Sequence, residues 1–240
     1  PSAKYDPDGM AGIINIILKR GRFEGMNGSA TISAGEYSRY NLSGMINYRR
    51  DKFNIFSNGS YRIWNRFGGG DRLFRYDYPT YTNEIRQETQ GRREPISNNI
   101  KLGTDYYHDK KNMLTLAMTY KHHDQNNHEN VTYFNPDYIF ESDEFDSGKD
   151  IDFEFGYYKD FPQKDRKLIL EFSSSFNTDY GYEHAFTNLN NYNVSDHDHK
   201  TEDPYHEEDN RNIIIKSDYT HPFGKSSKFE AGFKSTLKVF

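Results

Sequence analysis

Period-two alternation constrains this chain more than any other feature. Leu114, Leu116, Met118 and Tyr120 fall on one side of an extended segment, with Thr115, Ala117, Thr119 and Lys121 on the other. Leu168, Leu170, Phe172 and Phe176 likewise oppose Glu171, Ser173, Ser175 and Asn177. Phe229, Ala231, Phe233, Leu237 and Val239 oppose Glu230, Lys234, Thr236 and Lys238, and the same pattern runs through Ile151–Tyr157 and Ile213–Tyr219. Side chains that alternate at every residue belong to a β-strand with two unlike faces. The runs last roughly 9–11 residues, the length of a tilted membrane-crossing strand, against ~5–6 for a typical strand.

Each run stands against a short polar turn: YRRDKF at Tyr48–Phe53, YYHDKKNM at Tyr106–Met113, DFPQKDRKL at Asp160–Leu168 and THPFGKSSKF at Thr220–Phe229. Long polar stretches separate them, starting at Glu84, His123 and Asn188. The expected order is therefore short turn, long strand, long polar loop, long strand. About nine strands are expected, near residues 25–35, 40–49, 53–66, 97–107, 113–124, 150–160, 167–180, 211–220 and 228–240. Short turns on one side and long loops on the other are the asymmetry of outer-membrane barrels, whose apolar faces meet lipid while polar faces line a wet lumen. Tyr48, Tyr106, Tyr157 and Tyr219 each precede a short turn, which predicts an aromatic girdle at one interface.

Composition agrees. Only 34% of the 240 residues are hydrophobic, too few for an ordinary soluble domain. Yet 16% are aromatic, with 20 Tyr and 18 Phe, which a disordered chain lacks. A net charge of −5 argues against a nucleic-acid partner. No cysteine is present, so disulfides and thiolate metal sites are excluded. No apolar run reaches the ~18 residues of a membrane helix, which says nothing about membrane strands.

One stretch breaks the pattern. In YDPDGMAGIINIILKR, Tyr5–Arg20, a turn runs into Ile13, Ile14, Asn15, Ile16 and Ile17, apolar on both faces as a strand enclosed by protein would be. PSAKYDPDGMAGIINIILKR closely resembles the end of the plug domain in TonB-dependent outer-membrane receptors, and GRFEGMNGSATISAG resembles the crossing into the first barrel strand. The branch with PSAKYD-type plug ends is the outer membrane protein β-barrel family. The motif-level resemblance covers about residues 1–35. It implies that residues 1–20 end a plug domain and residues 21–240 are the N-terminal part of an all-β, antiparallel transmembrane barrel, the chain being a piece of a larger protein. It further implies about 22 strands around a plugged lumen, a cell outer-membrane location in a Gram-negative bacterium, and uptake of a scarce solute. The partners implied are outer-membrane lipid, the energy-coupling protein TonB, and a small solute, peptide or glycan. A non-transporting receptor or surface assembly protein on the same scaffold, and a secreted all-β carbohydrate-binding domain, are the alternatives.

Sites are fewer. Arg62, Arg66, Arg72 and Arg75 gather in one hairpin and could meet an anionic ligand in a loop or the lumen, since guanidinium suits bidentate recognition. His197, His199 and His206 lie among carboxylates, a donor set that suits divalent metals. Ordering a polar loop around an ion costs entropy, so a solvated acidic surface is the default and no metal is expected. DPDG at Asp6–Gly9 lacks the spacing of a calcium loop. No nucleophile, base and orienting group stand together, so no enzyme activity and no cofactor are expected.

Overall fold

The computed structural model describes residues 24–134, 138–189, 200–223 and 227–239. Among them every regular element is a strand: β1 Gly25–Gly35, β2 Arg39–Arg50, β3 Phe53–Trp64, β4 Arg66–Asp77, β5 Thr82–Tyr107, β6 Asn112–Phe134, β7 Tyr138–Asp160, β8 Lys167–Leu189, β9 Lys200–Glu202, β10 Tyr205–Phe223 and β11 Ser227–Val239. All eleven belong to one sheet, and every pairing is antiparallel.

Eleven strands make nine staves. Asn65 alone separates β3 from β4, and β5 pairs with both in one unbroken register, Ile63 opposite Ile96 and Arg66 opposite Arg93. β8 does the same for β9 and β10, with Ala185 opposite Glu202 and Tyr182 opposite Tyr205. Each of the nine staves contains one of the nine strands expected from the alternation.

Register fixes the two faces. Met26, Tyr48, Ile55, Thr104, Leu116, Phe155, Phe172 and Ile215 stand opposite one another in sequence across the sheet. The adjacent row, on the other face, is Arg49, Asn54, Asp105, Thr115, Gly156, Glu171, Lys216 and Lys234. Leu114, Leu168, Leu170 and Ile213 join the first face, and Ser173 joins the second, as the alternation predicts.

Among the described residues the apolar face has no protein to pack against. Leu116 is 58% exposed and Ile55 55%, while the only buried apolar side chains among the described residues are Ala117, Val131 and Ala185. The accessible surface is 17998 Å², against about 11,000 Å² for a compact chain of this mass. An open sheet with two exposed faces accounts for the excess, and its apolar band needs a solvent of its own kind. On the polar face the small residues Ala117 and Thr119 are covered, and Lys101 of β5 reaches across β6 to Glu154 of β7 at 2.8 Å.

The apolar band is oblique to the staves. On β6, β7 and β8 it ends at Tyr120, Ile151 and Phe176, because the next row on that face is His122, Lys149 and Thr178. On β2 it runs from Tyr48 up to Tyr40, a higher register. The tyrosines follow the same slope. Tyr106 and Tyr157 share a row through Leu114; Tyr48 lies one row above it and Tyr219 one row below. A horizontal girdle crosses tilted barrel strands in this stepwise manner.

The expected long loops are mostly absent. Residues 84–95 lie inside β5, residues 123–134 inside β6 and residues 138–150 inside β7. β6, β7 and β8 each span 23 residues, roughly 75 Å at ~3.3 Å per residue, whereas the apolar band of such barrels is only ~25 Å tall. The upper half of the staves therefore stands clear of the bilayer. With water on both faces it has no apolar stripe, and it reads as loop in sequence. What holds it is the backbone ladder with cross-strand polar pairs: Asn127 to Glu144 at 2.7 Å, His128 to Asp143 at 2.7 Å and Asn130 to Glu141 at 3.2 Å.

This partition predicts opposite responses to the same charge. Phe155→Arg, on the lipid face, should lower the unfolding free energy in lipid by about 2–4 kcal/mol. Ser173→Arg, on the polar face beside Glu154 and Glu171, should change it by less than about 1 kcal/mol. Denaturant titration of both variants in vesicles checks the difference.

Candidate functional site

The polar face of the extension carries the candidate site. Arg66 and Arg93 sit directly opposite one another, and the row continues through Asn127, Glu144 and Glu183. Two rows nearer the membrane lies Arg62. Between these rows Trp64 is flanked by two guanidinium groups, Arg39 at 5.3 Å and Arg62 at 5.8 Å from its ring, within cation–π range. The Arg39 Nε also donates to the Asn65 carbonyl at 2.8 Å, where the stave is interrupted.

Parity divides the arginines of this hairpin. Arg75, Arg86 and Arg92 fall on the opposite face, each with a carboxylate: Asp77 at 3.0 Å, Asp71 at 3.5 Å and Glu94 at 3.4 Å. Arg66, Arg72 and Arg93 fall on the polar lumen-side face, and none forms an ion pair among the described residues. Of the four arginines singled out in the sequence, Arg62, Arg66 and Arg72 thus share a face, and Arg75 does not join them. Arg39 and Arg93 belong with the first three. Arg93, across a turn that shifts the parity, and Arg39, on β2, both needed the sheet register.

A cleft of about 440 Å³ opens here, lined by Arg66, Arg93, Asn127, Glu129, Glu144 and Glu183 among others. Two of its three carboxylates, Glu144 and Glu183, are held by neutral donors. Asn127 Nδ2 reaches Glu144, and Ser142 Oγ donates to Glu183 at 2.6 Å.

The histidines take another place. His197 and His199 lie outside the described residues, as do Ile13, Ile14, Asn15, Ile16 and Ile17. His206 leans over Gly181 beside Asp146, with Nε2 at 3.7 Å from the carboxylate. One row closer to the membrane, Asp179 and His123 lean together over Gly148. A Cβ at either glycine would collide with these side chains, so glycine at both positions lets them fold flat onto the sheet. No three of the described metal-ligating side chains are placed to share one ion.

Burial raises the Asp146 carboxyl above its ordinary range; the Glu144 charge adds to this, His206 and His123 oppose it, and Asp179 adds again. The folded state therefore binds this proton more readily than the unfolded chain. The contribution to stability is present at low pH and is lost as pH rises through the raised value. Asp146→Asn should raise the melting temperature at pH 7 and leave it unchanged below about pH 3.8. Melting in detergent across that range checks it, and an offset independent of pH would contradict the assignment.

Comparison with known proteins bears on this geometry. Residues 159–239 match the profile of the Outer membrane protein beta-barrel family. No curated protein matches the chain. Among solved structures, the FpvAI–pyocin S2 complex is 8% identical with a TM-score of 0.34, covering 92% of this chain and 37% of that one. The ferric yersiniabactin uptake receptor FyuA from Yersinia pestis is 12% identical with a TM-score of 0.37, covering 86% and 34%. The siderophore receptor PiuA from Acinetobacter baumannii is 6% identical with a TM-score of 0.33, covering 89% and 46%. The chain thus spans between a third and a half of those chains, and likeness at this level carries no information on ligand or partner.

The family match runs from the end of β7 through β11, and those strands are hydrogen-bonded in continuous register with the rest of the sheet. The sheet is wall of an outer-membrane β-barrel. Its setting is the outer membrane of a Gram-negative bacterium, as the alternation and the opening motif had led one to expect.

Proposed function

We propose that this chain is part of a TonB-dependent outer-membrane receptor that takes up a scarce solute. The observation that carries the reading is the division of the sheet. One face is an oblique apolar band with tyrosines along its edge, and the other is a polar face that continues well beyond the bilayer and bears the unpaired arginine row. A wall of that kind encloses a wet lumen with a tall vestibule above it, where a dilute ligand is caught. The resemblance of Pro1–Arg20 to a plug end supplies the remaining part: a globular stopper joined to the first stave, closing the lumen until energy relayed by TonB rearranges it. Residues 1–20 as plug end and 21–240 as barrel remain the proposed division.

The test requires no knowledge of the ligand. In the intact protein, Ile14→Asp with Ile16→Asp buries unpaired charge in the plug, which costs several kcal/mol, while the barrel still inserts. The wild-type protein should be electrically silent in a planar bilayer and the double variant should conduct. If both are equally silent although inserted, the plug assignment fails.

A further inference from the structure

We infer that the cleft between β4/β5 and β7/β8 binds a zwitterionic ligand, a short peptide with free termini, holding its carboxylate on Arg66 and Arg93 and its ammonium on Glu144 and Glu183. This deepens the receptor reading and rests on it. Arg66 and Arg93 face each other directly across the ladder. Like charges in that position destabilise a sheet, and a carboxylate between two guanidinium groups removes the conflict through charge-assisted bonds. The sequence offers carboxylates nearby, and it uses them on the other face, where Arg75, Arg86 and Arg92 are all neutralised. Arg92, at the cleft edge, is one of these, whereas Arg66 and Arg93 have no carboxylate partner among the described residues.

The acidic half is arranged in the complementary way. Glu144 and Glu183 lie in the same row as the arginines, separated from Arg93 by Asn127. Both are half-buried and receive hydrogen bonds from an amide and a hydroxyl, and among the described residues neither has a cation as partner. Asn127 Oδ1 beside them is buried without a donor. An ammonium group supplies three donors, enough for both carboxylates and that amide oxygen. A simple anion would satisfy only the arginine end. Arg93 and Glu144 lie two strands apart, roughly 10 Å at the backbone, and the long side chains shorten that gap to the span of a small peptide. The cavity of about 440 Å³ is within the range of small-molecule sites. The face is the lumen face, so a lipid headgroup is not the occupant.

The experiment is calorimetric titration of the full-length protein in detergent micelles with four probes: trialanine, N-acetyl-trialanine, trialanine amide and citrate. Trialanine should bind saturably, and either blocked peptide at least ten-fold more weakly. Arg93→Gln should abolish discrimination against the amide, and Glu144→Gln should abolish discrimination against the acetylated form. Arg93→Gln should also raise the melting temperature without ligand, because it relieves the like-charge pair; a β-sheet circular dichroism signal establishes that each variant is folded. Citrate binding tighter than trialanine would reduce the site to an anion patch and overturn the proposal. So would equal affinity for the three peptides, or no saturable binding by folded protein. The bilayer conductance test of the plug involves no ligand, so the two failures are distinguishable.

Discussion

The backbone ladder is the interaction on which everything else depends. A sheet with three buried apolar side chains among its described residues has no core to supply its stability. In hydrocarbon each unsatisfied N–H or C=O costs several kcal/mol, so pairing is enforced by the medium. Side chains then need only suit what each face touches. Lipid accepts Leu116, Phe155 and Phe172; the lumen accepts Lys101, Glu154 and Lys216.

That division of labour explains which parts were legible in the sequence. Within the bilayer the medium writes itself into the chain as strict alternation, so all nine staves could be located, and the faces of β6, β7, β8, β10 and β11 could be read from residues such as Leu168, Leu170 and Phe172. Above Tyr120 and Ile151 both faces are wet, and EIRQETQGRREP or HDQNNHEN shows no period. Those residues are strand because the ladder started below them continues upward and because pairs such as His128–Asp143 close across it. Nothing local requires the extension, and it was expected as loop.

The candidate site was half legible for a related reason. Arginine density in one hairpin was visible, but which arginines share a face depends on parity. Parity in turn depends on the break at Asn65 leaving the register unchanged, as the pairing of β5 with both β3 and β4 shows. Arg75 was grouped with Arg66 by proximity and separated from it by the pleat. Glu144 and Glu183 are 51 and 90 residues beyond Arg93 in the chain and reach its row only through the strand order.

The unbroken register has a further consequence for how such a vestibule can change. Because one ladder runs without a bulge from the membrane zone to the hairpin tips of β6 and β7, inserting a single residue near Asp124 would exchange the faces of every position above it on that stave. Arg-facing groups would turn to open water and the outer groups would turn inward, while the lipid band below stayed intact. Two residues inserted together would only lift the upper rows by one step. The mouth of this barrel can therefore be reshaped in length by even increments and rewritten in chemistry by odd ones, with the membrane anchor indifferent to both.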